Sequence, residues 1–484
     1  MTRRKVAVLG GGITGLTAAF YLTLEARARG ETVEVTVLEG SERLGGRVNT
    51  LRRDGFVIER GPDSFLARKL PMIRLAEALG IAGELTGTNP AAKKTYISRD
   101  GELHAMPPGL VLGVPTDVEA FMETALVSET GKERALEDRA IAPGEAVSGD
   151  ESVGAFLERH MGAEMVTRIF EPLLAGIYAG DLYGLSLQAT FPQFKEMERR
   201  YGSLIEGSVE GRKAQAAAGT TPRSEPSPLP ASVFYTFKNG LSTVIEALEA
   251  RLREYGCDIR LGARVEALEK AATDGGTEGA GYRLSLSGGD RLDADAVIVA
   301  LPAAAMAELL APHVDVSALT SIRYVSVANV VFGYDAESLG RELDGSGFLV
   351  PRGEGRTITA STWTSAKWLH TAPEGKRLIR CYVGRAKDEA RVELSDEEMT
   401  EAVRRDLREL MGVDAEPAFV EITRLRQSMP QYPVGHKEAI GAFVSGLSAS
   451  LPGVIACGQP FGGVGLPDCV AQGMAAAEQV WQSK

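Results

Sequence analysis

The chain opens with a short apolar segment that runs directly into a glycine-rich turn. Lys5 to Leu9 reads as a buried strand, Gly10-Gly11-Gly12-Ile13-Thr14-Gly15 follows it, and Leu16 to Ala28 is compatible with a helix. Gly10 allows the sharp turn, Gly12 lets the backbone approach a pyrophosphate, and Gly15 permits close packing of helix on strand. The helix start then offers free N–H groups and a dipole that favour negative charge. The segment therefore predicts a Rossmann-like dinucleotide-binding unit.

The next predicted strand ends at an acidic residue. Thr32 to Leu38 alternates valines with other residues, and Glu39, followed by Gly40, stands 24 residues after Gly15. A carboxylate about 20 residues beyond the glycine turn accepts hydrogen bonds from ribose hydroxyls. It also repels a 2′-phosphate, so the pattern favours FAD or NAD over NADP.

A second glycine pair follows in Arg43-Leu44-Gly45-Gly46-Arg47. This R-x-G-G-R block resembles the signature of the monoamine oxidase and phytoene desaturase flavoprotein superfamily. Gly46 would let the backbone come near the diphosphate, and Arg47 would neutralise charge or contact the flavin. The alternative is a surface turn with a solvated arginine.

We find no second strand-GxGxxG-helix unit in the right context, since the glycine-rich stretches at Gly275 to Gly281 and Gly462 to Gly465 lack it. Reductases that take electrons from NAD(P)H usually need such a second site. A single site favours an oxidase or dehydrogenase whose organic substrate reduces the flavin directly, with oxygen as the simplest acceptor.

Composition excludes several other classes of protein. The 484 residues, 44% of them hydrophobic, support two or three domains, and the net charge of -12 offers no footprint for nucleic acid. No apolar run reaches about 18 residues, so we predict no transmembrane helix, and the first strand leaves no room for a signal peptide. The expected location is the cytoplasm. The four cysteines lack metal-ligand spacing, so we expect no metal site.

The C-terminal region repeats the strand, turn and helix pattern. Gly453 to Gly458 reads as a buried strand, and a glycine cluster precedes a helix from Val470 to Trp481. Backbone N–H groups of Val464, Gly465 and Leu466 could support the flavin pyrimidine ring, where negative charge develops on reduction. Alternatively, Asp468 merely caps the helix.

Periodicity predicts further elements between these two ends. Residues 212–219 and 222–230 are rich in Pro, Ser, Ala and Gly, which predicts a mobile surface loop. The predicted helices are Phe156 to Leu174, Leu241 to Tyr255 and Ser395 to Met411, and the predicted strands are Cys257 to Leu261, Val265 to Leu268, Tyr282 to Ser287, Ala296 to Ala300, Ser326 to Tyr334 and Leu378 to Val383.

Several further motifs carry a family resemblance that runs nearly end to end. They are Glu59 to Phe65, Glu171 to Asp181, Thr190 to Phe194, Ala372 to Lys376, Ser428 to Tyr432 and Gly463 to Asp468. With these motifs the chain resembles the Gram-positive type of protoporphyrinogen oxidase, the coproporphyrinogen III oxidases. The resemblance implies an α/β fold with three discontinuous domains: an FAD domain (1–70, 230–302, 434–484), a substrate domain on a mixed or antiparallel sheet (71–97, 206–229, 303–433) and a helical insertion (98–205).

The resemblance also implies site residues. Gly61, Pro62, Asp63 and Ser64 would contact the flavin, and Val265 would contact adenine through its backbone, although a plain core valine fits there too. The substrate pocket would be lined by Gly176, Ile177 and Ala179, with Tyr382 facing it; for Gly176 and Ala179 the alternative is tight helix packing. Asp63 stands where mitochondrial and plant relatives have a propionate-binding arginine, so the candidate carboxylate-binding residues are Arg68 and Lys69.

The implied activity is an FAD-dependent, oxygen-consuming oxidation of coproporphyrinogen III to coproporphyrin III in haem biosynthesis, with no acid or base residue required. Protoporphyrinogen IX oxidation is the nearest alternative, followed by an amine oxidase or carotenoid desaturase. A non-catalytic escort with the same fold is the alternative outside enzymes. The resemblance leaves open a monomer or a homodimer, and a weak peripheral contact with membranes.

Overall fold

The computed structural model describes residues 4–144, 149–219, 231–272 and 278–482. At its centre lies a sheet of five strands, all parallel to their neighbours. The apolar residues 6–9 of the central strand are completely buried, as expected where both faces of a parallel sheet are covered. The predicted Rossmann-like unit is therefore confirmed. The strand order is Asp258–Arg260, Val33–Leu38, Arg4–Leu9, Ala296–Val299 and Val454–Ala456.

Alternate residues of the central strand feed two separate cores. Val6 and Val8 pack with the helices Ile13–Arg29, Ser242–Glu254 and Leu466–Gln482 on one face. Ala7 and Leu9 point to the other face, as the two-residue period of a strand requires. That second face is covered by the antiparallel strands Val265–Ala272, Glu278–Leu286 and Arg291–Ala294 and by the helices Ala303–Leu310, Ser317–Thr320 and His436–Ser450.

A second, seven-stranded sheet stands beside this unit. It is antiparallel except where Gly345–Leu349 runs parallel to Lys94–Arg99. The helix Asp396–Met411 covers one face, and Ser395 and Glu398 close its start with a capping box. The strand order is Phe419–Gln431, Arg323–Asp335, Lys376–Val383, Ile358–Thr362, Gly345–Leu349, Lys94–Arg99 and Glu102–Ala105.

The third region is helical, and its buried core includes Phe156, Ile169 and Phe170. The single helix predicted from Phe156 to Leu174 is wrong: Gly162, at φ +84°, interrupts it. A left-handed glycine ends the regular helix there. The segments of this region are the α-helices Val118–Glu123, Glu129–Leu136, Val153–Met161, Ala163–Met165, Glu171–Tyr178, Leu187–Thr190, Pro192–Tyr201 and Leu204–Gly219 and the π-helical turn Val166–Phe170.

The prediction of a mobile loop is wrong for residues 212–219. They continue the helix Leu204–Gly219, which packs against Pro192–Tyr201. The alanines at 214 and 216–218 have the strongest helix propensity of any residue, and this outweighs the composition signal. Residues 222–230 of the predicted loop lie outside the described residues.

Shorter elements join the three regions. No helix within the described ranges is both long and apolar enough to span a bilayer. The remaining strands are Thr50–Arg53, Phe56–Glu59, Phe65–Leu66, Leu85–Gly87, Leu110–Val111, Val114–Pro115 and Phe234–Phe237. The remaining helices and helical turns are Pro71–Ala78, Ala82–Glu84, Glu137–Ala140, Glu337–Leu339, Arg352–Glu354, Thr364–Lys367, Ala390–Glu393 and Gln459–Gly462.

Packing suggests different domain limits from those that the resemblance implies. The helix Pro71–Ala78 packs on Leu466–Gln482 and shares its core with the parallel sheet. The boundary at residue 205 falls inside the helix Leu204–Gly219. We therefore propose to assign residues 71–87 to the dinucleotide-binding domain and residues 206–219 to the helical region.

Candidate active site

The opening glycine turn meets a helix whose end is free to bind an anion. Gly12 is the N-cap of helix Ile13–Arg29, and among the described residues no side chain caps that end. A Cβ placed on Gly12 would meet no described heavy atom within 4 Å, whereas one on Gly15 would overlap the carbonyl oxygen of Gly10. Open space in front of uncapped N–H groups, including those of Thr14 and its neighbours, fits a pyrophosphate.

The predicted ribose-binding acid lies directly beside this turn. The N–H of Gly11 donates to Glu39 Oε2 at 2.7 Å, and the N–H of Ser41 donates to Oε1 at 2.8 Å. The carbonyl oxygen of Glu39 accepts from Ala263 at 2.8 Å, two residues before the predicted adenine contact Val265. A Cβ on Gly40 would stand 3.6 Å from the Cβ of Arg264 in the same segment. The structure thus brings Glu39 and Gly40 close to the segment that carries Val265.

The second glycine pair packs onto the first. Gly45 donates to the carbonyl oxygen of Gly11 at 2.8 Å, and a Cβ on Gly46 would stand 3.4 Å from the Gly12 Cα. Arg47 Nη2 donates to the Gln427 carbonyl oxygen at 3.0 Å. A Cβ on Gly61 would overlap the carbonyl oxygen of Arg47, so only glycine fits at position 61.

The segment from Gly61 to Ser64, which includes Pro62, carries a charged cluster. The Ser64 hydroxyl donates to Asp63 Oδ1 at 2.7 Å, and Lys367 Nζ lies 4.0 Å from Asp63 Oδ2. Arg380 Nη2 donates to the carbonyl oxygen of Gly61 at 2.5 Å. Desolvation would raise the pKa of Asp63, but Lys367, Arg380 and the Ser64 hydroxyl outweigh it and hold that pKa below its usual value. Asp63 is therefore an ionised carboxylate.

Sequence reasoning missed both cations of this cluster. Arg380 and Lys367 lie more than 300 residues after Asp63 in the chain and belong to no glycine motif. The sequence does contain one sign of Arg380, because this residue interrupts the predicted apolar strand Leu378 to Val383. In the structure its side chain is 4% exposed. A buried arginine in such a strand requires an acceptor.

The C-terminal strand, turn and helix pack against the opening glycine turn. The N–H of Gly458 donates to Gln472 Oε1 at 3.0 Å, and a Cβ on Gly473 would lie 2.5 Å from the carbonyl oxygen of Thr14. Val464 packs against the helical core, and Leu466 is buried at the start of the final helix. The segment with Gly465 therefore lies where the helical region meets the dinucleotide-binding unit.

The Asp468 carboxylate pairs with a lysine side chain rather than with the backbone N–H groups that a helix cap would bind. Both of its carboxylate oxygens accept from Lys69 Nζ, at 2.7 and 2.6 Å. Lys69 is thus already paired with a carboxylate of the protein, while its predicted companion Arg68 is exposed. The role of these two cations toward a substrate carboxylate stays a prediction.

The predicted pocket residues lie on the helical region where it faces the seven-stranded sheet. Ala386 donates to the carbonyl oxygen of Ala179 at 2.7 Å, and Ala179 has φ +50°. Ile177 is 43% exposed, and a Cβ on Gly176 would meet no described heavy atom within 4 Å. Tight helix packing is therefore not the reason for glycine at position 176.

Tyr382, the predicted pocket residue on the seven-stranded sheet, lies in the strand Lys376–Val383. The Arg380 guanidinium lies 4.9 Å from the centre of its ring, and its hydroxyl is 3.2 Å from Thr362 Oγ1. Desolvation raises the pKa of Tyr382, so it is a neutral phenol. Because Arg380 also binds Gly61, the Tyr382 side chain is connected to the segment around Asp63.

Comparison with known proteins gives concordant matches over the full length of the chain. The family model described as flavin containing amine oxidoreductase matches residues 13–481. Coproporphyrinogen III oxidase of Bacillus subtilis (strain 168) is 41% identical over 98% of this chain and 97% of its own length, and that of Staphylococcus aureus is 37% identical over 99% of each.

A solved structure from Exiguobacterium sp. 255-15, provisionally named protoporphyrinogen oxidase, superposes with a TM-score of 0.86 at 35% identity and covers both chains completely. These matches agree with the uncapped glycine turn, the adjacent acid and the returning C-terminal helix. The chain belongs to the flavin containing amine oxidoreductase family, and FAD is its cofactor.

Proposed function

We propose that this chain oxidises coproporphyrinogen III to coproporphyrin III, with FAD as cofactor and molecular oxygen as electron acceptor. The observation that carries the proposal is the match of the whole chain to two coproporphyrinogen III oxidases, at 41% and 37% identity. The ionised Asp63 with its cationic neighbours and the exposed apolar side chain of Ile177 support it.

The residues present fit FAD from end to end. The pyrophosphate would lie on the turn that spans residues 10–15, the ribose on Glu39, and the adenine along Gly40 and the backbone of Val265. The isoalloxazine ring would lie between Gly46, Arg47 and the 61–64 segment on one side and Gly458 with residues 464–466 on the other. When bound, FAD accepts the hydride that the substrate loses.

The protein's own task is to hold a large macrocycle against that ring. Gly176, Ile177 and Ala179 would form one wall of the pocket and Tyr382 the opposite wall, which excludes water from the reacting face. The open space beside Gly176 and the exposed apolar surface of Ile177 suit a tetrapyrrole better than a small amine. Asp63, held ionised, would accept hydrogen bonds from pyrrole N–H groups.

The reaction itself needs little acid or base chemistry. A methylene bridge loses a hydride, a pyrrole N–H loses a proton, and three such rounds followed by tautomerisation give an aromatic porphyrin. Aromaticity supplies the driving force, so orientation and exclusion of water are the main contributions of the enzyme.

The test uses purified holoenzyme and anaerobically prepared substrates. We expect porphyrin fluorescence to appear faster from coproporphyrinogen III than from protoporphyrinogen IX, with hydrogen peroxide detected by a coupled peroxidase. Polyamines serve as the control for amine oxidation. If the two-carboxylate substrate reacts faster, the enzyme is a protoporphyrinogen oxidase. If neither porphyrinogen is oxidised and the protein binds no flavin, it is an escort rather than an enzyme.

A further inference from the structure

One cation beside the flavin segment, Lys367, has an ammonium group without a hydrogen-bond acceptor among the described residues. The closest carboxylate oxygen in that part of the chain, Asp63 Oδ2, lies 4.0 Å from Lys367 Nζ. An ammonium group has three N–H donors, so Lys367 can bind a further acceptor. Other cations of this neighbourhood already donate to acceptors of the protein, and they are Arg47, Arg60, Lys69 and Arg380.

Aromatic rings hold the Lys367 side chain in place. Its Nζ lies 5.2 Å from the centre of the Phe234 ring and 5.3 Å from the centre of the Trp368 ring. Ring faces attract a cation, and here they also keep water away from it. The side chain is 17% exposed, so the ammonium group has lost most of its solvent without gaining an acceptor. A carboxylate that reached it would form a charge-assisted bond in surroundings where such bonds are strong.

The charges around Lys367 favour a bound anion. Asp63 is ionised, but it offsets only one of its two cationic neighbours, Lys367 and Arg380. Desolvation raises the pKa of Glu59, a second acid near Arg380, to about 7, so this acid is only partly ionised near neutrality. The cluster therefore keeps part of a positive charge that a ligand carboxylate can neutralise.

Lys367 also lies between a predicted pocket residue and the surface. Its short helix, Thr364–Lys367, begins just after Thr362, whose Oγ1 is 3.2 Å from the Tyr382 hydroxyl. Towards the solvent, Leu369 is 69% exposed. An apolar macrocycle beside Tyr382 can thus be buried while a charged arm stays near the surface, where a carboxylate costs less to desolvate.

We propose that the ammonium group of Lys367 binds one propionate of the tetrapyrrole and so fixes the orientation of the macrocycle against the flavin. This inference rests on the proposed oxidase function and adds a residue that recognises its substrate. The residue acts in binding and not in the transfer of hydride or proton.

The test compares coproporphyrin III, the proposed product, with its tetramethyl ester, which has the same macrocycle without charged carboxylates. Holoenzyme is titrated into each porphyrin in one detergent buffer, and porphyrin fluorescence reports the bound fraction. In Lys367→Met the Kd for the free acid should rise on the order of tenfold or more, as expected for the loss of one charge-assisted bond. The Kd for the ester should stay unchanged. Lys437→Met, which removes an exposed lysine, should bind both porphyrins as the wild type does.

The ester separates a carboxylate contact from an indirect effect. If Lys367→Met weakens the acid and the ester equally, Lys367 acts through Asp63 or through packing, and the proposal is overturned. An unchanged Kd for both porphyrins would overturn it as well. Should Lys367→Met lose its flavin, Lys367→Gln, which keeps N–H donors without the charge, supplies the same comparison.

Turnover of coproporphyrinogen III gives a second readout. Lys367→Met should raise the KM while kcat and the flavin absorbance spectrum stay as in the wild type, and Lys367→Arg should restore part of the affinity because it keeps the charge. A fall in kcat with an unchanged KM would contradict a role in binding. If Lys367→Met weakens only the acid but the wild type oxidises no porphyrinogen, the oxidase function fails while the carboxylate site stands.

Discussion

Gly473 is the position where a single methyl group should affect both stability and flavin binding. It lies on the last helix, Leu466–Gln482, at its crossing with the first helix, Ile13–Arg29. In a Gly473→Ala variant the new Cβ would lie 2.5 Å from the Thr14 carbonyl oxygen and 2.9 Å from the Thr17 Cβ. These neighbours belong to a rigid, buried helix, so the two helices must separate.

The expected cost follows from two opposing terms. Overpacking of this kind costs about 1–3 kcal/mol, while alanine gains up to about 1 kcal/mol over glycine in a helix interior. We expect a net loss of about 1–2 kcal/mol in the free energy of unfolding. Because Thr14 belongs to the glycine turn that we propose to hold the pyrophosphate, the affinity for FAD should fall as well.

Gly441→Ala is the matched control. Gly441 lies in the helix His436–Ser450, is exposed, and has no described heavy atom within 4 Å of a Cβ placed on it. This variant should gain up to about 1 kcal/mol. Urea unfolding followed by circular dichroism, with flavin fluorescence as a second probe, measures both. If Gly473→Ala matches the control in stability and in flavin content, the close helix crossing is not real.

Three further substitutions test other contacts. Glu39→Gln weakens charge-assisted bonds beside the glycine turn, so the Kd for FAD, measured by fluorescence quenching, should rise on the order of tenfold; an unchanged Kd would contradict the assignment. Asp138→Asn removes a buried carboxylate that lies 2.5 Å from a ring nitrogen of His160, and unfolding midpoints should reveal a loss of about 2–4 kcal/mol. Lys69→Met breaks the pair with Asp468, so flavin retention should drop; a large rise in the KM for coproporphyrinogen would in addition assign Lys69 to a propionate, as the resemblance implies.

The elements that periodicity predicted well are those with strong local patterns. The helix predicted from Ser395 to Met411 forms as Asp396–Met411, because its capping box and apolar stripe agree. The helix predicted from Phe156 to Leu174 failed because a single left-handed glycine overrides a continuous apolar pattern. The loop predicted for the alanine-rich residues 212–219 was wrong in the opposite direction, because their loop-like composition concealed a high helix propensity.

The sequence alone predicted the N-terminal part of the dinucleotide site, because residues 10–47 lie within about 50 residues of one another and their predicted roles depend on backbone geometry that glycine spacing encodes. Tertiary structure alone decided the pairings of Gly61 with Arg380 and of Lys69 with Asp468, which join residues 319 and 399 positions apart. Contacts across such distances follow from how the sheets and helices pack. No local pattern records which distant cation will meet a given carboxylate or carbonyl group.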